Sequence, residues 1–591
     1  MAEMITITID GKEVQVKPGT TILEAAKQVN IEIPTLCYHP DLKPTGNCGV
    51  CVVEIEGAPT LKRACCTPVA PGWKIHTNSE RVRKARRAVV ELILADHDME
   101  CPTCVRNGKC ELQELAHKLG ITDVRFGRKK ERKPIDDSSY IIRDPNKCIL
   151  CGRCVQVCSD LQTVNALTVQ NRGYESMITA ALGKPLADSP CVNCGQCVVF
   201  CPVGALYEKR EIDYVWEALA DPEKHVVVQE APALRATLGE EFGMEPGEVV
   251  SGKMHAVLRR LGFDAVFDTN FAADLTIMEE GTEFVERFKK GGPFPLITSC
   301  SPGWIKFMET FFPSLIPYVS SAKSPQQMFG ALAKTYYSEM TGIPPEKIVS
   351  VSIMPCTAKK FEARRPEMRD SGYQDVDYVL TTRELAQMIK EAGIDFKALP
   401  EEPADELMGM YTGAGTIFGT TGGVMEAALR SAYFLLTGKE LEPVDIAPVR
   451  GMEGIKEAEI EINGTKVKVA VAHGLGNARK LLEKVVDQLE KTGKSEYHFI
   501  EIMACPGGCV GGGGQPYGST FARRARRGEA LYKEDRSLPY RRSHENPAIK
   551  RVYEKYLKHP LSPKSHKLLH THYYKRSPID GKPVEEPKGA H

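Results

Sequence analysis

The chain has no excess of charge of either sign: 77 Lys and Arg face 77 Asp and Glu. It therefore presents no global field toward nucleic acid or an anionic membrane. It lacks any run of about 18 or more apolar residues, so the sequence predicts no membrane span. The N-terminus, Met1 to Pro18, lacks a charged stretch followed by an apolar core and is not read as a signal peptide. No Gly-x-Gly-x2-Gly follows a strand with a later acidic residue, so no dinucleotide is expected to bind here. Cysteine is scarce in one part only. Beyond residue 201 there are four, Cys300, Cys356, Cys505 and Cys509, whereas sixteen of the 20 lie before residue 202. A chain expected to be cytoplasmic and this rich in cysteine points to metal sites and not disulfides.

What is present reads as several domains, since 591 residues exceed one core. The overall expectation is a multidomain α+β and α/β protein. Residues 1–79 open with a hairpin at Asp10-Gly11, and Thr20 or Thr21 can cap a helix to about Val29. Cys37, Cys48, Cys51 and Cys65 follow in the order of a plant-type ferredoxin, a β-grasp holding [2Fe–2S], with a longer first gap than usual. Cys66 adjoins Cys65, and the context Arg63-Ala-Cys65 favours Cys65. Residues 80–120 carry His97, Cys101, Cys104 and Cys110. His97 and Cys101 would share one helix face if the helix continued. Zinc is the rival here, but the position between two iron–sulfur modules favours a [4Fe–4S] cluster with one imidazole ligand. The basic run Arg81, Arg83, Lys84, Arg86 and Arg87 is most simply a solvated face.

Residues 138–210 carry the most specific generic pattern. Cys148-x2-Cys151-x2-Cys154-x3-Cys158 is repeated as Cys191-x2-Cys194-x2-Cys197-x3-Cys201-Pro202. In this two-cluster ferredoxin signature the fourth cysteine of each run serves the other cubane. One cubane then takes Cys148, Cys151, Cys154 and Cys201, and the other Cys191, Cys194, Cys197 and Cys158.

From residue 213 strands and helices alternate to about 500, the pattern of an α/β layered domain assigned to 213–530. All four late cysteines lie in three loops: Thr298-Ser-Cys300-Ser301-Pro-Gly-Trp304, Met354-Pro-Cys356-Thr-Ala-Lys359-Lys-Phe-Glu362, and Glu501-Ile-Met503-Ala-Cys505-Pro-Gly-Gly-Cys509-Val-Gly-Gly-Gly-Gly-Gln-Pro516. They read as one constellation brought together by folding. The glycines of the last loop suggest backbone that approaches an inorganic cluster closely, with Cys505 and Cys509 as thiolate ligands. Residues 531–591 are basic and irregular, without a convincing core. His566, His570 and His572 there read as part of a solvated or packed tail that wraps the larger domain.

At these three loops the sequence resembles the catalytic subunits of [FeFe]-hydrogenases, and the resemblance extends over essentially the whole chain. It implies an H-cluster: a [4Fe–4S] cubane joined through one cysteine to a two-iron unit carrying CO, cyanide and a bridging dithiolate. By motif position Cys356, Cys505 and Cys509 would be cubane ligands, with Cys509 the bridge. Lys359 would hydrogen-bond a cyanide. Met354 and Met503 would pack beside the two-iron unit, and Ala231 and Pro232 would line it. The first loop departs from the family's paired cysteines. Cys300 matches the proton-relay thiol, while Ser301 stands where a cubane thiolate is usual. Either a serine oxygen ligates iron, or Cys300 becomes the ligand and the relay changes. Glu280, Ser320 and Glu283 match the family's relay to Cys300.

The module set, with three further [4Fe–4S] clusters, one [2Fe–2S] and a tail at 531–591 like the family's small subunit, looks most like the large subunit of NAD(P)-dependent, electron-bifurcating hydrogenases. That likeness implies a flavin- and NAD(P)-binding partner, a small [2Fe–2S] subunit, ferredoxin, and maturation proteins that supply the two-iron unit. Three other readings compete. A complex I-like electron-transfer subunit would not need Lys359 or the glycine loop. An iron–sulfur assembly protein would lack these N-terminal cluster sites, and a hydrogen sensor would add a signalling domain.

Overall fold

The computed structural model describes residues 4–127, 131–462 and 464–584. The chain divides into two compact units: 1–158 with 167–186 and 200–207, and 159–166 with 187–199 and 208–591. Each is described by itself.

The first unit begins with the expected hairpin. Strands Ile5–Ile9 and Lys12–Val16 pair antiparallel, and Asp10 and Gly11 both take positive φ (45° and 81°), as a two-residue turn between twisted strands requires. The sheet runs in the order Lys12–Val16, Ile5–Ile9, Lys74–His76, Val52–Ile55, Lys62–Arg63. Helix Ile22–Gln28 covers it, and its cap is Thr21, which forms a reciprocal capping box with Glu24; such a cap contributes about 1 kcal/mol. Alternating Ile7, Ile9, Val14 and Val16 fill the core together with Cys51 and Cys65.

Helix Glu80–Asp96 follows, and its basic residues are engaged within the chain. Arg81 bonds Glu54 and the Pro59 carbonyl, Arg86 the Val52 carbonyl, and Arg87 Glu91. The helix stops at Asp96, with His97 as an extended C-cap, and Cys101–Thr103 is a separate 3-10 turn around Pro102. The expectation that His97 and Cys101 share one continuous helix is therefore corrected: the chain turns between them. One side chain ties three modules together. Arg153, 4% exposed, grips Glu111 with two nitrogens (2.8 and 2.7 Å) and the Tyr38 carbonyl (2.7 Å).

The second unit is built on two four-stranded sheets. Strands Ala265–Asp268, His225–Glu230, Ile348–Met354 and Tyr378–Thr381 are all parallel. Every residue of Ile348–Met354 is buried, as expected where helices cover both faces. In the other sheet Leu296–Ile297, Phe499–Met503 and Thr465–His473 are parallel, and Ile455–Ile462 adds an antiparallel edge. The loop after His225–Glu230 starts at Ala231; those after Leu296–Ile297, Ile348–Met354 and Phe499–Met503 carry Cys300, Cys356 and Cys505. All four follow the carboxyl ends of parallel strands, where α/β sheets place their sites.

The end of the chain is less irregular than the sequence suggested. Helix Phe521–Ser537 runs on past residue 530, and Pro547–Val552 and Pro563–Leu569 are further helices. Ile549, Val552, Tyr553, Tyr556, Leu557, Leu568 and Leu569 are buried in a core shared with Phe267, Phe271 and Phe329. Helices Pro547–Val552 and Pro563–Leu569 are short and proline-initiated, so no helical periodicity was visible there over a long enough window. Among the described residues no helix is long and apolar enough to cross a membrane.

Candidate functional site

The carboxyl-end loops of the two sheets enclose a buried cavity of about 70 Å³. Its walls include all four late cysteines, Cys300, Cys356, Cys505 and Cys509, with Ser301, Lys359, Ala231, Pro232, Met354 and Met503. The wall is overwhelmingly carbon and sulfur. Lys359, 8% exposed, is its one cationic residue, and its Nζ bonds the Cys300 carbonyl (3.1 Å) and Glu362 (2.8 Å). Glu362 is itself gripped by Ser324 and Gln326, which fixes the ammonium at the cavity edge.

Burial pushes the thiols of Cys356 and Cys505 up and that of Cys509 up to about 12. Four thiols that are costly to ionise beside one buried ammonium suit a metal cluster, whose positive charge makes thiolates favourable. The two residues of the first loop face different neighbours. Glu280 is the chief charged neighbour of the Cys300 thiol and, after burial, drives it well above its ordinary range. Ser301 Oγ instead accepts the Ala504 amide (3.2 Å), beside Cys505. Cys505 has Cys356, Cys194 and Cys509 as its near thiols.

Helix Thr269–Lys290 carries Glu280 and Glu283 three residues apart on one face. Glu280 is 1% exposed, its Oε1 has no hydrogen-bond partner, and burial raises its pKa to about 8. Ser320, fully buried, lies beside Glu280, whose charged form it favours, and donates to Glu283 (3.2 Å). Arg287 holds the other oxygen of Glu283 (2.7 Å). Cys300 thus has Glu280 as its chief near charge, while Ser320 lies beside Glu280 and hydrogen-bonds Glu283.

The glycines of this loop have a packing job beside the close approach to a cluster that the sequence suggested. A Cβ on Gly511 would meet the Pro506 carbonyl oxygen at 2.1 Å, on Gly512 that of Pro355 at 2.0 Å, on Gly513 that of Cys194 at 2.4 Å, and on Gly514 Thr381 at 2.8 Å. They let backbone pack on backbone, and only Gly508 and Gly512 of this loop's glycines reach the cavity. Glu501, whose role sequence reading missed, caps helix Gly423–Thr437 by accepting the amides of Gly422 (2.7 Å) and Met425 (2.6 Å). Thr269, Gln326 and Phe418 also line the cavity; the first two sit on helices and Phe418 at the end of one, with no motif to mark them.

The N-terminal ligand candidates gather as well. Cys37, Cys48, Cys51 and Cys65 lie within sulfur contact of one another, and Cys66 is exposed. His97, Cys101 and Cys110 line one cavity, and the His97 Nδ1 is buried without a partner, as a vacant ligand atom would be. Cys104 is among the near charges of Cys110. Cys151 has Cys148 and Cys201 as near thiols, and Cys154 is buried. Cys158 belongs to the first compact unit and Cys191, Cys194 and Cys197 to the second. His570 packs against Glu279 (3.1 Å) and Ser321 (2.8 Å). The buried group Glu230, His255 and Asp268 has metal-like spacing, but Glu230 and His255 bond each other and Arg235 occupies Asp268.

Comparison with known proteins agrees with this geometry. Residues 224–513 match the family model for the iron only hydrogenase large subunit, C-terminal domain, and 522–576 that for the iron hydrogenase small subunit. Residues 2–80 match a 2Fe-2S iron-sulfur cluster binding domain, 86–125 the NADH-ubiquinone oxidoreductase-G iron-sulfur binding region, and 147–205 a 4Fe-4S dicluster domain. The NADP-reducing hydrogenase subunit HndD of Solidesulfovibrio fructosivorans is 52% identical over 97% of this chain and 99% of its own length. Iron hydrogenase 1 of Clostridium pasteurianum is 44% identical over 97% and 100%. A solved structure of apo [FeFe]-hydrogenase HydA1 from Chlamydomonas reinhardtii covers 63% of this chain and 99% of its own, at 45% identity and a TM-score of 0.55.

Proposed function

This chain belongs to the iron-only hydrogenase family, and on that premise we propose that it interconverts H2 with two protons and two electrons. Its own iron–sulfur clusters carry the electrons to a partner subunit. The observation that supports this most strongly is the convergence of Cys300, Cys356, Cys505 and Cys509 with Lys359 on one buried cavity. A protein that only relays electrons has no use for that enclosed space or for an ammonium fixed beside it.

The H-cluster, when bound, supplies the iron at which H2 is split or formed. Cys356, Cys505 and Cys509 would hold its cubane, with Cys509 the bridge, and Lys359 would hydrogen-bond a cyanide. Ser301 lies toward Ala504 and Cys505, so it would take the fourth cubane position. Cys300, set toward Glu280, keeps the relay role. Its thiol stays neutral and holds a proton at Sγ. Glu280, with a pKa of about 8, can hold a proton or release it near neutrality, and Ser320 and Glu283 extend the path. Ala231, Pro232, Met354 and Met503 keep water from the cavity.

The remaining cofactors would be one [2Fe–2S] and three [4Fe–4S] clusters at the N-terminal sites. The electrons would pass to a flavin- and NAD(P)-binding subunit and a small [2Fe–2S] subunit, with ferredoxin as a second acceptor in a bifurcating complex. Maturation proteins would deliver the two-iron unit, and the enzyme would be cytoplasmic. The HndD relative is named for NADP reduction, which supports NADP+ as the nucleotide. The test is H2 evolution from a reduced dye by the matured chain. A matured chain that evolves none would contradict the reading.

A further inference from the structure

The loop Cys191–Cys197 and the loop Cys505–Gly514 lie in one compact unit and are joined by more than packing. Thr357, next to Cys356, donates to the Asn193 carbonyl (2.7 Å). Gly195 and Gly513 touch backbone to backbone, since a Cβ on Gly195 would come within 2.9 Å of the Gly513 Cα. Between these contacts lies Gln196, 1% exposed. Its amide nitrogen donates to the Gly511 carbonyl at 2.9 Å, and the same side chain lies beside the Cys505 thiol, where it favours the thiolate. A primary amide has two N–H donors, enough to serve both acceptors. No motif requires glutamine between Cys194-Gly195 and Cys197, and a ferredoxin standing alone would offer this side chain no partner.

We propose that Gln196 is the positioning residue that couples the two cubanes, holding the Cys197 loop on the Cys505 loop and stabilising the more reduced state of the Cys356/Cys505/Cys509 cluster. The physical reason is electrostatic. Reduction adds one negative charge to a cluster bound by thiolates, and an N–H aimed at a thiolate favours the more negative state. One electron leaves one cubane, which is oxidised, and enters the other, which is reduced; no proton moves in that step. The glutamine fixes both the separation and the relative potential of the pair. The proposal rests on the hydrogenase reading given above.

The experiment uses the full matured chain with Gln196→Leu, which keeps the volume and removes both donors, and Gln196→Glu, which puts an acceptor there. Infrared-monitored redox titration reads the potential of the cubane joined to the two-iron unit. It is expected to move to more negative values in both variants. H2-driven dye reduction should fall several-fold, while exchange of D2 with solvent protons, which needs no electron to leave, stays at the wild-type rate. An unchanged potential, or exchange and dye reduction falling together, overturns the proposal. If Gln196→Leu takes up less iron, Gln196→Met, which keeps the length and offers no N–H donor, supplies the same readings under the same criteria. Wild-type protein without CO and cyanide bands would instead sink the hydrogenase reading, so the two failures are distinct.

Discussion

The two compact units hold cysteines in opposite ways. In the first, ligand candidates sit close together in sequence, as in Cys48-Gly-Val-Cys51 or Cys148-x2-Cys151-x2-Cys154, and several are partly open to solvent. In the second, the four cavity cysteines come from three separate loops, and they meet only because two sheets end at one cavity. A short loop can cradle a cluster wherever a chain needs to pass an electron. Chemistry on a small molecule needs walls, a fixed charge and a proton path, and those must come from distant segments. On the proposed function the first unit and the Cys191–Cys197 loop are wiring, and the cavity is where a reaction can occur.

The sharpest way to break this comparison is to remove one ligand from each side. Cys356→Ala should abolish H2 turnover and D2 exchange together, because the cavity loses a cluster ligand. Cys48→Ala should cost the [2Fe–2S] spectrum and slow electron delivery to a partner, yet leave D2 exchange intact. Equal losses in the two variants would erase the distinction.

The next largest effect concerns protons. Replacing Cys300 with Ala, or Glu283 with Gln, should lower turnover by about 10²–10⁴-fold, the range for a lost acid–base group, while iron content and infrared bands remain. Unchanged H2 evolution would remove Cys300, Glu280, Ser320 and Glu283 from the proton path. Ser301→Ala should do the reverse, altering the cubane's spectrum first.

How far the sequence carried the reading differs between the units for the same reason. The two-cluster repeat, the Asp10-Gly11 hairpin and the Thr21 cap are local, so spacing and turn chemistry were enough to read them. The three catalytic loops were legible because each carries its own motif, but their meeting point was not visible without the fold. The packing job of the glycines was not legible because Gly511–Gly514 have as neighbours Pro506, Pro355, Cys194 and Thr381, three of them far along the chain. His97 was misplaced on a continuing helix because propensity could not show the chain turning at its C-cap. The tail's core was hidden because its apolar residues pack on Phe267 and Phe329, not on one another alone.

A smaller effect should be confined to the second unit. Burial and Asp268 raise Glu230 to about 7, and the neighbouring carboxylates of Glu230 and Asp268 raise His255 to about 10 despite its own burial. Both folded pKa values lie above the unfolded ones, so each group's contribution is fullest at low pH. It is lost as pH rises, through about 7 for Glu230 and about 10 for His255. The unfolding temperature should therefore fall on the alkaline side, and His255→Gln should flatten that fall. A His255→Gln profile with the same alkaline slope would dismiss this pair as the cause.

The central claim is that the cavity lined by Cys300, Cys356, Lys359, Cys505 and Cys509 holds a two-iron unit bearing CO and cyanide. An infrared spectrum of the matured protein tests it most directly. The account predicts sharp bands of iron-bound CO and cyanide that disappear in Cys509→Ala. A matured protein with its full iron–sulfur content and no such bands would contradict it.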